Sequence, residues 1–112
     1  MIAIVAEFEF PAESRDRLLD TVRDMDAKTN QEPGCIHYRH AIDVRNENRL
    51  VLSEIWSDAQ ALLDHFRTPH FRAFRAAAVE LNVRTKLKQC EARDIAEDDD
   101  RHWKALLRIS EL

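Results

Sequence analysis

The chain has 112 residues, of which 45% are hydrophobic and 34% are charged, and its formal net charge at pH 7 is −4. This length accommodates one domain rather than two, and the acidic balance argues against nucleic acid as a partner because phosphate binding favours a basic face. A single glycine excludes a glycine-rich phosphate loop and a dinucleotide fingerprint, and no apolar run reaches membrane-spanning length, so we expect no membrane partner.

The two cysteines, Cys35 and Cys90, are too few and too far apart for a disulfide framework. Free thiols in a reducing cytoplasm are the favoured interpretation. The first ten residues carry acids and lack a basic region, which predicts a strand rather than a signal peptide. We therefore expect a cytoplasmic protein.

The chain opens with a strand and a helix. Apolar residues alternate between positions 2 and 10, which predicts a strand ended by Pro11. From Ser14 to about Gln31 apolar residues recur at helical spacing, at Leu18, Val22 and Met25. The turn at residues 33–34 stops this helix.

A hairpin follows. Residues 35–43 form the second predicted strand, residues 45–48 a polar turn, and residues 49–56 the third strand. Tyr38 and His40 share one face of the second strand, and His37 and Arg39 the other. Glu54 lies on an apolar face beside Trp56, where a carboxylate needs a partner or a raised pKa.

Two helices come next. Ser57 with Gln60 three residues later predicts a capping box, and Thr68-Pro69 predicts a second helix start. The apolar side of this region is expected to be buried, with the second helix ending near Asn82; its members are Leu62, Leu63, Phe66, Phe71, Phe74, Ala78 and Leu81.

The last elements are more polar. Residues 84–95 predict a fourth strand at an edge of the sheet or facing a partner. An acidic run at 97–100 leads into an amphipathic tail over 100–112 that carries Trp103, Leu106 and Leu107. We therefore divide the chain into a domain over residues 1–96 and a tail over residues 97–112.

The order β-α-β-β-α-β predicts an α+β, ferredoxin-like split βαβ fold. Helices cover one face of such a sheet. Apolar residues on the other face need a cover that one domain cannot supply, which predicts a homodimer packed sheet on sheet.

Spacing does not favour a metal site. His37 and His40 face opposite ways on a strand, and His65 and His70 are five residues apart across a helix break, unlike the pairs of zinc helices. We predict no metal and no cofactor. Cys35 is best interpreted as a buried strand cysteine rather than a nucleophile.

Several short motifs share one order along the chain: Glu32-Pro33-Gly34-Cys35 leading into Tyr38, Leu52-Ser53-Glu54-Ile55-Trp56, His65, and Thr68-Pro69-His70-Phe71. This pattern resembles the antibiotic biosynthesis monooxygenase superfamily, which includes small quinol monooxygenases. The resemblance implies a dimeric α+β barrel. It also implies cofactor-independent oxidation of a small electron-rich aromatic, quinol- or anthrone-like, by molecular oxygen.

Such chemistry needs an apolar pocket, a proton acceptor and hydrogen-bond donors. We predict that the catalytic residues are His65, His70 and Glu54. The predicted substrate-binding residues are Trp56, Tyr38, Arg39, Phe66 and Phe71.

Other interpretations stay open. The protein could be an isomerase or other proton-transfer enzyme acting on a small carbonyl metabolite, or a non-catalytic dimeric domain that binds a ligand. Trp56 could serve only the core, Glu54 could pair with Arg39 across the sheet, and His70 could be an exposed first-turn residue.

Overall fold

The computed structural model describes residues 1–94, which form a four-stranded antiparallel sheet with helices packed on one face. The strands are β1 (Ile2–Glu9), β2 (Cys35–Asp43), β3 (Asn46–Trp56) and β4 (Arg84–Glu91). The helices are α1 (Arg15–Thr29), α2 (Ala59–Phe66) and α3 (Pro69–Glu80), with a short 3₁₀ turn at Ala12–Ser14 before α1. The strand order is β2-β3-β1-β4, which confirms the predicted ferredoxin-like α+β fold.

The core lies between the helices and the sheet face that carries the alternating apolar residues. Ile4, Ala6 and Phe8 of β1 are buried there, and so are Leu50 and Leu52 of β3. The neighbours of these residues on the opposite face are more exposed, as the period-two pattern predicts. β4 is an edge strand, and all eight of its residues are exposed.

Helix α1 packs through the apolar stripe that its spacing predicts. Leu18, Val22 and Met25 are buried. A second contact joins this helix to β2, since Asp26 Oδ1 lies 2.7 Å from His40 Nδ1. The helix is therefore fixed to the sheet by both apolar burial and a carboxylate–imidazole hydrogen bond.

Three local predictions were wrong. The N-cap of α2 is Asp58, whose side chain accepts from the Ala61 N–H at 2.8 Å, and not Ser57. Ser57 instead donates its own backbone N–H to Gly34 O at 2.8 Å, which extends the sheet contact by one residue. Leu63 and Phe66 are exposed rather than buried. β3 begins at Asn46, because the turn is tighter than the four polar residues suggested.

The predicted tail over residues 97–112, with Trp103, lies outside the described residues. The fourth strand ends at Glu91 rather than at the predicted residue 95. Within residues 1–94, every helix is too short or too polar to cross a bilayer.

Candidate active site

Three side chains from separate elements meet at the joint between α2 and α3. One oxygen of Glu32, Oε2, lies 2.7 Å from His65 Nδ1 and 2.8 Å from His70 Nε2. Glu32 belongs to the turn after α1, His65 to the last turn of α2, and His70 to the first turn of α3. We call this set the Glu32 cluster.

Local sequence brings the two histidines together. Thr68 accepts from the Phe71 N–H at 3.2 Å, and Pro69 occupies the first turn, so α3 must start immediately after α2 ends. The Thr68 hydroxyl also donates to His65 O at 2.7 Å, which ties this cap to the end of α2.

The turn that carries Glu32 is held by Gly34. Its φ of +80° lies in the left-handed region. A Cβ at this position would lie 2.6 Å from Ala61 Cβ and 2.7 Å from Ser57 Oγ, so the turn packs directly on the start of α2. Glycine here brings the Glu32 turn close enough to reach both histidines.

The imidazole of His65 is almost fully buried, at 1% exposure, among aromatic rings. Ring centroids lie 4.8 Å away for Trp56, 5.0 Å for Phe71 and 5.4 Å for Tyr38. Burial lowers the pKa of His65, and the hydrogen bond that His65 donates to Glu32 partly opposes that effect. The ring is therefore neutral at physiological pH.

The neutral ring has a defined tautomer. A carboxylate only accepts hydrogen bonds, so His65 Nδ1 carries the proton and donates the hydrogen bond to Glu32. His65 Nε2 is then the basic nitrogen, and within residues 1–94 it has no hydrogen-bond partner. This arrangement suits a general base, because the contact of Nδ1 with Glu32 fixes the orientation of the ring and leaves Nε2 free to accept a proton.

Glu54 provides a second titratable group on the sheet floor. Its Oε1 accepts from Trp56 Nε1 at 2.7 Å. Burial raises the pKa of Glu54, while the hydrogen bond from Trp56 and the charge of His40 oppose the rise. A buried carboxyl with a raised pKa holds a proton at a higher pH than an ordinary glutamate does, which suits an acid.

A cavity of about 240 Å³ lies between the sheet and the helices, and His65, Glu54 and Tyr38 contribute its deeper polar wall. Most of its lining is apolar, from Leu52 and from the aromatic residues of α2 and α3. Burial also raises the pKa of the Tyr38 hydroxyl, so this group stays protonated, and it donates a long hydrogen bond to Met25 Sδ at 3.8 Å. The cavity therefore combines a base, a carboxyl of raised pKa and a hydroxyl around an apolar space.

The structure brings most of the predicted site residues together. Five of them line the cavity: His65, Glu54, Tyr38, Phe66 and Phe71. Trp56 and His70 lie outside its lining. Trp56 is linked to the cavity through Glu54, and His70 is linked through Glu32 and then His65. Arg39 does not join them, because it lies on the opposite face of the sheet, in register with Ser53, where it lines a different groove.

Sequence reasoning missed Glu32 as a site residue. Its two partners lie 33 and 38 positions away, so no local spacing links them. The one available signal was that Glu32 comes immediately before the Pro33-Gly34 turn. The order of helices and strands places this turn near the joint between α2 and α3. Arg75 was also missed, and it lines the outer part of the cavity.

The Glu32 cluster is also a possible metal donor set. Its two imidazole nitrogens and one carboxylate oxygen all lie within 4.8 Å of one another. The same arrangement also follows without a metal ion, because the two histidines donate short hydrogen bonds to Glu32. The expectation of no metal stays a prediction.

Cys35 lies near the same turn but does not suit nucleophilic chemistry. Burial and the nearby charges of Glu32 and Glu54 raise the pKa of its thiol to about 11. The thiol is therefore protonated at neutral pH.

A family model described as "Antibiotic biosynthesis monooxygenase" matches residues 1–77. An uncharacterized protein of Synechocystis sp. is 26% identical over 73 residues, which are 65% of this chain and 50% of that protein, so the match spans half of the relative's length. The Bacillus subtilis protein named "Putative monooxygenase YcnE" is 30% identical over 95 residues, covering 80% of this chain and 100% of YcnE. Among solved structures, one described as a "putative antibiotic biosynthesis monooxygenase" from Deinococcus radiodurans superposes with a TM-score of 0.80 at 23% identity, covering 87% of this chain and 97% of that one. At this identity the likeness concerns the fold.

Proposed function

The chain belongs to the antibiotic biosynthesis monooxygenase family, and from that premise we propose that it is a cofactor-independent monooxygenase of a small, electron-rich, quinol- or anthrone-like aromatic. The observation that carries this proposal is the neutral His65 imidazole. Its Nδ1 is held by Glu32, and the ring forms part of the wall of an apolar cavity that also contains Glu54. Molecular oxygen is the second substrate.

In the proposed reaction, His65 Nε2 takes the proton of a ring hydroxyl. The resulting anion is a strong electron donor, and its ring carbon forms a bond to O₂ by successive one-electron steps. The His65 imidazolium returns its proton to the terminal oxygen of the peroxide formed in this way, and the neutral imidazole then takes the ring C–H proton as the O–O bond breaks. The departing hydroxide takes this second proton. One oxygen atom stays on the ring and the other leaves as water, so the substrate supplies all four electrons.

The other polar groups have assigned roles in this proposal. Glu54, whose pKa burial raises, is assigned to the oxygen that leaves as water, to which its carboxyl donates when it carries a proton. Tyr38 donates to the substrate oxygen after its proton has gone. His70 shares Glu32 with His65 and therefore acts as a positioning residue. Trp56 holds Glu54 through its indole N–H.

The cavity size limits the substrate. Its volume of about 240 Å³ lies just below the ~300–1,000 Å³ typical of sites for drug-sized ligands. A one- or two-ring aromatic is the size class that we expect, and apolar walls favour a flat ring over a sugar or a peptide.

We also propose a homodimer. A groove of about 560 Å³ runs over the sheet face opposite the helices, where Val5, Val51 and Ala41 lie among Arg39 and Lys88. Val5 is 59% exposed there. Packing this face on a second copy would remove it from water.

Oxygen uptake with 1,4-dihydroxynaphthalene tests the function. We expect His65→Gln to lose at least about 10²-fold in rate, the usual contribution of a general base. His37→Gln is the matched control, because His37 lies on the open face and contacts Ser53. Equal rates for wild type and His65→Gln would contradict the proposal.

A second candidate function has one observation in its favour. A base and a carboxyl of raised pKa on one small cavity also suit proton transfer in an isomerase acting on a hydroxy ketone. Turnover of such a ketone under nitrogen would favour this candidate over oxygenation.

A further inference from the structure

Arg75 occupies a distinctive place at the cavity. Of the arginines and lysines in residues 1–94, it alone lines this space. It lies on α3 and is exposed, and Thr85 and Gln89 of β4 line the same outer part of the cavity. The mouth between α3 and the edge strand therefore carries one cation and two polar side chains.

Within the described residues this cation has no acidic partner, as no ion pair or hydrogen bond of Arg75 occurs there. Its neighbours three and four positions away on the helix are Phe71, Arg72, Ala78 and Val79, none of them acidic. The single acid of α3, Glu80, pairs with Arg17 at 3.1 Å. The mouth is thus locally positive on a chain whose formal net charge is −4.

The sheet supplies a length scale for the cavity. Glu54 of β3 is in register with Ile4 of β1, and Ile4 with Gln89 of β4. Two strand spacings of ~4.8 Å separate Glu54 from Gln89, or about 10 Å in all. This width accommodates a two-ring aromatic.

We infer that the cavity takes an aromatic carboxylate, with the ring hydroxyl at His65 and Glu54 and the carboxylate on the guanidinium of Arg75. A guanidinium binds a carboxylate through two parallel N–H bonds, which selects a planar anion of fixed orientation. This inference deepens the proposed function, on which it rests for the reaction at the ring. Binding of the anion does not depend on the reaction.

Titration calorimetry under nitrogen tests the inference with two ligands that differ only in the anion, 6-hydroxy-2-naphthoate and 2-naphthol. The full chain is expected to bind the naphthoate about tenfold more tightly, which is the effect of one charge-assisted contact at a partly exposed site. That preference should shrink between low and high salt, because exposed charges are screened.

Variants assign the preference to one residue. Arg75→Gln should abolish it and leave the affinity for 2-naphthol unchanged, and Arg75→Lys should keep part of it. Arg72→Gln is the matched control, since Arg72 is an exposed arginine of the same helix that does not line the cavity. Unchanged melting temperatures would establish that the variants fold.

Three results would overturn the inference: no preference in the wild type, a preference that persists in Arg75→Gln, or an equal loss in Arg72→Gln. These titrations involve no oxygen uptake. A failure to oxygenate quinols would therefore refute the proposed function while a carboxylate preference remained, and the reverse result would refute only the role of Arg75.

Discussion

Replacing Glu32 by Gln is the sharpest perturbation of the Glu32 cluster. The wild-type carboxylate receives hydrogen bonds from both His65 and His70 through one oxygen, at 2.7 and 2.8 Å. A glutamine has the same shape, and its one amide oxygen can still accept both bonds, but these bonds are no longer charge-assisted. It also removes the negative charge that orients the two N–H donors.

The expected loss of stability follows from these contacts. The three side chains are at least 89% buried, so each bond to Glu32 is charge-assisted and little screened. Turning both into bonds to a neutral amide costs about 1.5–3 kcal/mol in all, which lowers the melting temperature of a domain of this size by roughly 10 °C. Asp64→Asn is the control, because Asp64 is an exposed carboxylate of α2 that contacts only Gln60. It should change stability by less than about 0.5 kcal/mol.

The pH profile gives the more specific readout. His65 acts only when neutral, so the rate falls as the pH drops through its pKa, which burial places below the ordinary value of 6.5. Glu32 raises that pKa, so Glu32→Gln should move the acid limb to a still lower pH. The plateau should fall about 10²-fold, because an amide can accept or donate and so no longer fixes which ring nitrogen of His65 carries the proton. An unchanged plateau, or a limb that moves to higher pH, would refute the assigned role of Glu32.

Three further predictions concern the sheet floor, the turn and the open face. Burial raises the pKa of Glu54 above the ordinary value of 4.5, so ionising this group costs stability as the pH rises from that value through the folded pKa. Glu54→Gln should therefore gain stability relative to wild type as the pH rises above 4.5, and a pH-independent difference in melting temperature would contradict this. Gly34→Ala should destabilise by about 1–3 kcal/mol, because φ is +80° and the new methyl would meet Ala61, and denaturant unfolding measures this loss. Val5→Asp should dissociate the proposed dimer in sedimentation experiments while leaving the fold intact, and an unchanged sedimentation coefficient would argue against that interface.

The fold could be predicted because its signals are local. Alternating apolar residues in β1 and β3, and the helical spacing of Leu18, Val22 and Met25, each define one buried face. The start of α2 was misplaced because Ser57 and Asp58 are both good caps, and the choice depends on a long-range bond from Ser57 to Gly34. Periodicity alone does not contain that bond.

The candidate site was only partly predictable. Glu54 was found because a carboxylate on an apolar strand face is itself a signal. The same alternation put Tyr38 and Arg39 on opposite faces of the sheet, so naming both as substrate-binding residues of one pocket was inconsistent with the pattern. Glu32 and Arg75 were missed because the packing of α2 and α3 on the sheet decides their neighbours, and that packing is not periodic in the sequence.

One measurement tests the central claim most directly. Chelator-treated, cofactor-free protein is given 1,4-dihydroxynaphthalene under ¹⁸O₂, and the product is examined by mass spectrometry. Monooxygenation predicts 2-hydroxy-1,4-naphthoquinone with one ¹⁸O atom and one labelled water per turnover. His65→Gln is expected to form this product at least about 10²-fold more slowly. Unlabelled 1,4-naphthoquinone as the sole product, formed at the same rate by wild type and His65→Gln, would contradict the account.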